Sequence, residues 1–164
     1  MLERGLRTRY KPVVVSSSSN WYPLLDTLAD SVNPILAFFA IVITLREWRR
    51  SSPTVAMVCL GSAALGLLGI YAVRFLDATF SIWRDWGGDY STHAAFATSV
   101  VMSLAFWCPR RRVLLVLLLA AYLLLMVVMG YHRPVDVLTS SVVACAVTLP
   151  WQIAARRVVL QRAE

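Results

Sequence analysis

Five apolar runs divide the chain, and its charged residues gather in the gaps between them. The runs cover about 24–45, 53–74, 92–107, 113–131 and 134–155. Each reads as a helix that can sit in a bilayer, where a segment has to satisfy its own backbone N–H and C=O groups. The third is short for a hydrocarbon core of about 30 Å. The second and fifth open with Pro53 and Pro134. Proline suits a first helical turn because its φ is preset and the N–H it lacks would have no partner there. Between the second and third runs lies the one long polar connection, residues 75–91, FLDATFSIWRDWGGDYS. Its Trp83 and Trp86 suit a membrane interface. Residues 1–20 are basic and then serine-rich. They read as an arm at the membrane surface rather than a signal peptide, because their only apolar run is VVV.

Composition agrees with this pattern. The chain has 164 residues, 59% of them hydrophobic, and a mean hydropathy of +0.65. These values belong to a single membrane domain, and the expected fold is an all-α polytopic bundle of about five transmembrane helices. The arm at 1–20 precedes this bundle at 21–156, and a basic tail at 157–164 follows it. The net charge of +7 does not form a nucleic-acid patch. The clustered basic residues flank apolar segments, where they set topology and meet anionic lipid. The segments REWRRSS, CPRRR and RRVVLQR hold nine of the sixteen basic residues and alternate onto one side, which the positive-inside rule makes cytoplasmic. Arg4, Arg7, Arg9 and Lys11 of the arm fall on the other side and argue against that orientation. Cys59, Cys108 and Cys145 lie far apart in or beside apolar runs and read as small buried hydrophobes, not as a metal site or disulfide set.

Alternation brings both histidines of the chain to the same membrane face whichever way the bundle points. His93 starts the third helix, in GGDYSTHAAF, and His132 precedes the fifth, in MGYHRPVDVL. Ionisable groups are costly near a bilayer, so their grouping points to chemistry. Two readings of Asp136 stand side by side. Four residues after His132, it can bond one ring nitrogen and make the other a better nucleophile. In the first turn after Pro134, it can instead satisfy free backbone N–H groups. Ser91, Thr92 and the helix start at His93 form an anion-friendly concavity, and His93 can pass a proton to a leaving oxygen. Arg74, Arg84 and Arg133 reach the same face, either as a phosphate clamp or as interfacial side chains. Asp26 and Asp30 form an i,i+4 pair that can partner these arginines. The set suits phosphoryl transfer without a metal or other cofactor.

These motifs resemble the type 2 phosphatidic acid phosphatase superfamily over about 70–150, the catalytic-type region. His132, Pro134, Asp136 and Val137 fit its third signature, and Ser91 and His93 fit the second. Gly88 and Asp89 stand near the glycine–aspartate pair of the sphingomyelin synthase branch, with a shorter spacer. The resemblance implies His132 as nucleophile, Asp136 as its orienting acid and His93 as general acid. Arg84 keeps its place in the first signature. Asp77 stands there for the usual lysine and Asp85 for proline, while Leu125 and Met126 stand for the serine–arginine that opens the third. Arg74 or Arg133 would then replace the missing cations, with Ser91, Thr92 and Asp89 also near the substrate. The family usually has six helices.

The expected activity is hydrolysis of a lipid phosphate ester through a phosphohistidine. The alternatives are transfer of a phospho-head group to another hydroxyl, and lipid binding or membrane assembly without catalysis. The expected location is a bacterial inner (plasma) membrane, with the site on the non-cytoplasmic side.

Overall fold

The computed structural model describes residues 21–50 and 52–161; the arm at 1–20 lies outside them. Six α-helices follow one another: α1 Tyr22–Arg50, α2 Pro53–Phe80, α3 Ile82–Asp85, α4 Thr92–Trp107, α5 Arg112–Val128 and α6 Pro134–Gln161. A 3-10 turn, Pro109–Arg111, joins α4 to α5, and no strand occurs among the described residues. The fold is an all-α bundle. Pro23–Arg46, Pro53–Phe80, Pro109–Val128 and Pro134–Gln161 are long and apolar enough to cross a membrane, and Thr92–Trp107 is a shorter apolar helix.

Local chemistry sets the helix ends. Ser52 caps α2 by accepting from Thr54 N at 3.2 Å, and Ser91 caps α4 by accepting from Ala94 N at 3.3 Å. α2 continues past Arg74 to Phe80, beyond the end that its polar residues predict. Arg74 Nη1 meets Asp77 Oδ2 at 3.2 Å, and Asp77 Oδ1 accepts from Trp83 N at 2.8 Å, so the charges are answered within the helix and its following turn. The helix stops only where Ser81 turns left-handed, at φ 57°. α5 stops at Val128, short of the expected Tyr131. Gly130 takes φ 75°, and the N–H groups of Gly130 and Tyr131 return to the carbonyls of Val127 and Met126. That turn releases His132 from any helix.

α4 is the central helix, touched by α1, α2, α5 and α6. Its buried face is made of small residues, including Ala94, Ala97, Thr98, Ser99 and Ser103, which allow close helix approach. A polar seam runs along its contact with α6. Ser91 N donates to Ser140 Oγ at 2.8 Å, and Thr148 Oγ1 donates to Ser99 Oγ at 2.9 Å. Deeper in, the fully buried Gln152 accepts from Trp107 Nε1 at 2.9 Å and from Ser62 Oγ at 3.3 Å, and donates to Ser103 Oγ at 2.9 Å. Each such bond contributes about 0.6 kcal/mol on average. Together they fix one register of α2, α4 and α6.

α2 reaches α6 through glycine. A Cβ on Gly69 would stand 2.2 Å from Val147 Cγ1, and Val147 is β-branched and stiff at χ1. Gly69→Leu is therefore expected to destabilise the bundle by about 1–3 kcal/mol or more. Gly61→Leu, at a position with open space around it, should change stability by less than about 0.5 kcal/mol. Unfolding midpoints in detergent compare the two. Large side chains such as Phe38, Phe39, Leu117, Leu118 and Val142 point outward, as a lipid environment accepts.

Candidate active site

The start of α1, the α2–α4 connection and the turn before α6 meet at one end of the bundle. The Tyr131 hydroxyl donates to the Asp26 carboxylate and ties that turn to α1. Beneath lies an open cavity of about 190 Å³ lined by Ala29, Asp30, His93, Tyr122, Met126, Tyr131 and His132. His93, the second residue of α4, and His132 therefore share one space, as their common membrane face predicts. α4 begins at this wall and brings the positive end of its dipole with it.

The acid beside the His132 ring is Asp89. Its Oδ2 lies 3.7 Å from His132 Nδ1, an ion-pair distance rather than a tight hydrogen bond. The imidazole is 14% exposed and the Asp89 carboxylate 66% exposed. Burial pushes the pKa of His132 below its ordinary 6.5, against the opposing pull of Asp89 and Asp136, and His93 adds to the lowering. The ring is thus kept neutral, as a nucleophile must be.

Asp136 is engaged elsewhere. Its carboxylate accepts from Arg133 Nε at 3.1 Å, Arg133 Nη2 at 3.2 Å, Arg133 N at 3.3 Å and Asp89 N at 3.1 Å. The cause is local. α6 starts at Pro134, and a residue before proline is steered away from helical geometry. His132 therefore never joins the helical face of Asp136, and the nearer Arg133 fork takes the carboxylate. Asp136 holds the α2–α4 connection in place through Asp89 N, and Arg133 Nη2 adds a bond to Gly87 O. Gly88 allows this approach, since a Cβ there would stand 2.9 Å from Asp136 Oδ1. Asp136 thus sets the backbone that carries Asp89.

The three arginines do not line the cavity. Arg133 is paired with Asp136, Arg74 with Asp77, and Arg84 stands exposed on α3. Ser91 is fully buried and serves as a helix cap. Thr92 lines a second cavity, which shares His93 and Asp30 with the first. The connection itself is firmly built. Trp83 Nε1 donates to Thr139 Oγ1 at 3.0 Å, and the Trp83 ring meets Tyr90 edge-on at 4.9 Å. Burial pushes the Tyr90 hydroxyl up to about 12, so it stays protonated and donates to Ile70 O. Asp30, Tyr122 and Tyr131 belong to the cavity although sequence reasoning gave none of them a place at the reacting centre. Only the Asp26–Asp30 spacing carried a signal. No protein-family model, curated protein or solved structure matches this chain.

Proposed function

We propose that this chain is an integral membrane phosphatase that hydrolyses a lipid phosphate ester through a phosphohistidine on His132. The observation that carries the reading is the shared cavity of His93 and His132 at one end of an apolar bundle. The His132 ring attacks phosphorus with the nitrogen opposite Nδ1, while Asp89 at Nδ1 steadies the imidazole and its developing charge. His93 gives its proton to the departing oxygen. The α4 N-terminus and the N–H of His93 take the charge of the transition state. Water then attacks the phosphohistidine and frees the ring. A non-cytoplasmic site in a plasma membrane is part of the proposal, supported by the basic segments REWRRSS, CPRRR and RRVVLQR of the sequence. Purified protein is expected to release phosphate from phosphatidate or a polyprenyl phosphate in the presence of EDTA. No release from either lipid would remove the reading.

The pH dependence follows from His132. The neutral fraction of its ring rises as pH climbs through its pKa, so kcat/KM should gain its acid limb below 6.5. Asp89→Asn removes the strongest opposing pull and moves that limb to still lower pH. A pair this exposed contributes about 0.2–1 kcal/mol, so the shift stays under about one pH unit. A limb that moves upward, or not at all, would separate Asp89 from the His132 ring.

The positions of the arginines favour one other reading. A cavity whose lining among the described residues holds no guanidinium group also fits a protein that holds a lipid head group and performs no chemistry. Lipid binding without phosphate release would identify it.

A further inference from the structure

The second cavity is an open groove of about 380 Å³ between α1, α2 and α4, and its walls are Asp30, Asn33, Pro34, Ala37, Tyr71, Thr92, His93 and Phe96. It shares only Asp30 and His93 with the cavity that holds His132. We infer that this second cavity is the subsite for the alcohol half of the substrate, a lipid alcohol whose polar end lies at His93 and whose chain runs down between α1, α2 and α4. The inference rests on the phosphoryl-transfer reading above and adds where the leaving group sits.

In-line displacement carries the attacking nitrogen and the departing oxygen on opposite sides of phosphorus. With His132 on one side, the departing oxygen faces the other way, toward the group that protonates it. His93 is that group, and it belongs to both cavities. The P–N bond to His132 forms as the P–O bond to the alcohol breaks. The His93 proton passes to the alkoxide, and a free alcohol is left in the second cavity. Water then supplies the oxygen that breaks the P–N bond and the proton that returns to His93.

The lining of the second cavity matches an amphiphile. Asp30, Asn33, Pro34 and Thr92 lie toward the helix ends at the His93 face, and Ala37, Tyr71 and Phe96 lie further along α1, α2 and α4. Ala37 lies seven residues beyond Asp30, about 10 Å deeper along α1 at 1.5 Å per residue. The polar end presents hydrogen-bond acceptors. The Asp30 side chain stands there, and Pro34 brings no N–H to the Asp30 carbonyl one turn earlier. The O–H of the alcohol, formed once the P–O bond has broken and His93 has given its proton, is the donor that such acceptors need.

The test uses the full chain in lipid nanodiscs with a phosphonate analogue of phosphatidate, in which carbon replaces the scissile oxygen and a diazirine sits on the acyl chain. Photolabelling is expected on Ala37 or Phe96, the half-buried walls of the groove. Label confined to the outward Phe38, Phe39, Leu117 or Leu118 would overturn the subsite. In a second arm, Ala37→Trp is expected to lower the ratio of kcat/KM for phosphatidate to that for a short soluble phosphate ester by at least about tenfold. Leu118→Trp, on the outward face of α5, should leave the ratio alone. A ratio equally insensitive to both substitutions counts against the subsite. Labelling needs no turnover, so a correct label map on a protein that forms no phosphohistidine would retain the subsite and reject the proposed chemistry.

Discussion

His132→Ala is expected to lower kcat for phosphate release by at least about 10⁴-fold with little change in the unfolding midpoint. The size follows from the role. A nucleophile that forms the covalent intermediate has no partial substitute, and removing one costs nearly the whole covalent pathway. The chain has one other imidazole, His93, and the mechanism already uses it as the acid. The small stability effect follows from position. His132 lies in the turn between α5 and α6, outside both helices, and its ring makes no contact on which the polar seam depends. Rates measured beside circular dichroism melts test both halves. Activity within tenfold of wild type would assign the nucleophile elsewhere.

His93→Ala is expected to lower kcat by about 10²–10⁴-fold on a lipid alkyl phosphate, the usual worth of a positioned general acid. The loss should be far smaller on a nitrophenyl phosphate, whose leaving oxygen departs as a stable phenolate and needs no proton. Alanine at this second helical position is itself favourable to α4, so the fold should survive the change. An equal loss on both esters would make His93 a positioning residue rather than a proton donor. The contrast between the two variants separates attack from departure. His132→Ala should fail on both esters, and His93→Ala chiefly on the poor leaving group.

The helices were legible where a single local signal decided them. Pro53 and Pro134 each open a helix, Ser91 caps α4, and the apolar runs are long enough to read directly. The end of α2 was not legible, because it depends on Arg74 and Asp77 answering each other and on a left-handed Ser81, a residue that gives no glycine-like warning. The meeting of His93 and His132 followed from counting membrane crossings, which needs no tertiary detail. The acid beside His132 did not follow. A spacing of four suggested Asp136, but that rule applies only inside a helix, and Pro134 sets the helix start beyond His132. Once His132 lies in a turn, its neighbour is chosen by how the α2–α4 connection folds over α6. That fold depends on Gly88, Arg133 and Asp89 N converging on Asp136. Asp30 illustrates the same limit. Its place at the helix start was visible, whereas its place between two cavities depends on how α1 leans on α4.

The same geometry explains why Arg74 and Arg133 do not line the cavity of the two histidines. Arg133 and Arg74 each have a carboxylate within three residues, and short-range pairing on a helix or turn competes directly with reaching into a cavity. Under the proposed function the charge of a phosphate would be met by the α4 N-terminus and by the N–H of His93, a weaker provision than a guanidinium clamp.

The most direct measurement is to mix the purified protein with phosphatidate carrying a radiolabelled phosphate, quench within one turnover and locate the label by peptide mapping. The account predicts an acid-labile, base-stable phosphoryl group on His132 that accumulates in His93→Ala when a nitrophenyl ester replaces the lipid, and that is absent from His132→Ala. Phosphate release with no label on His132, or label on any other side chain, would contradict it.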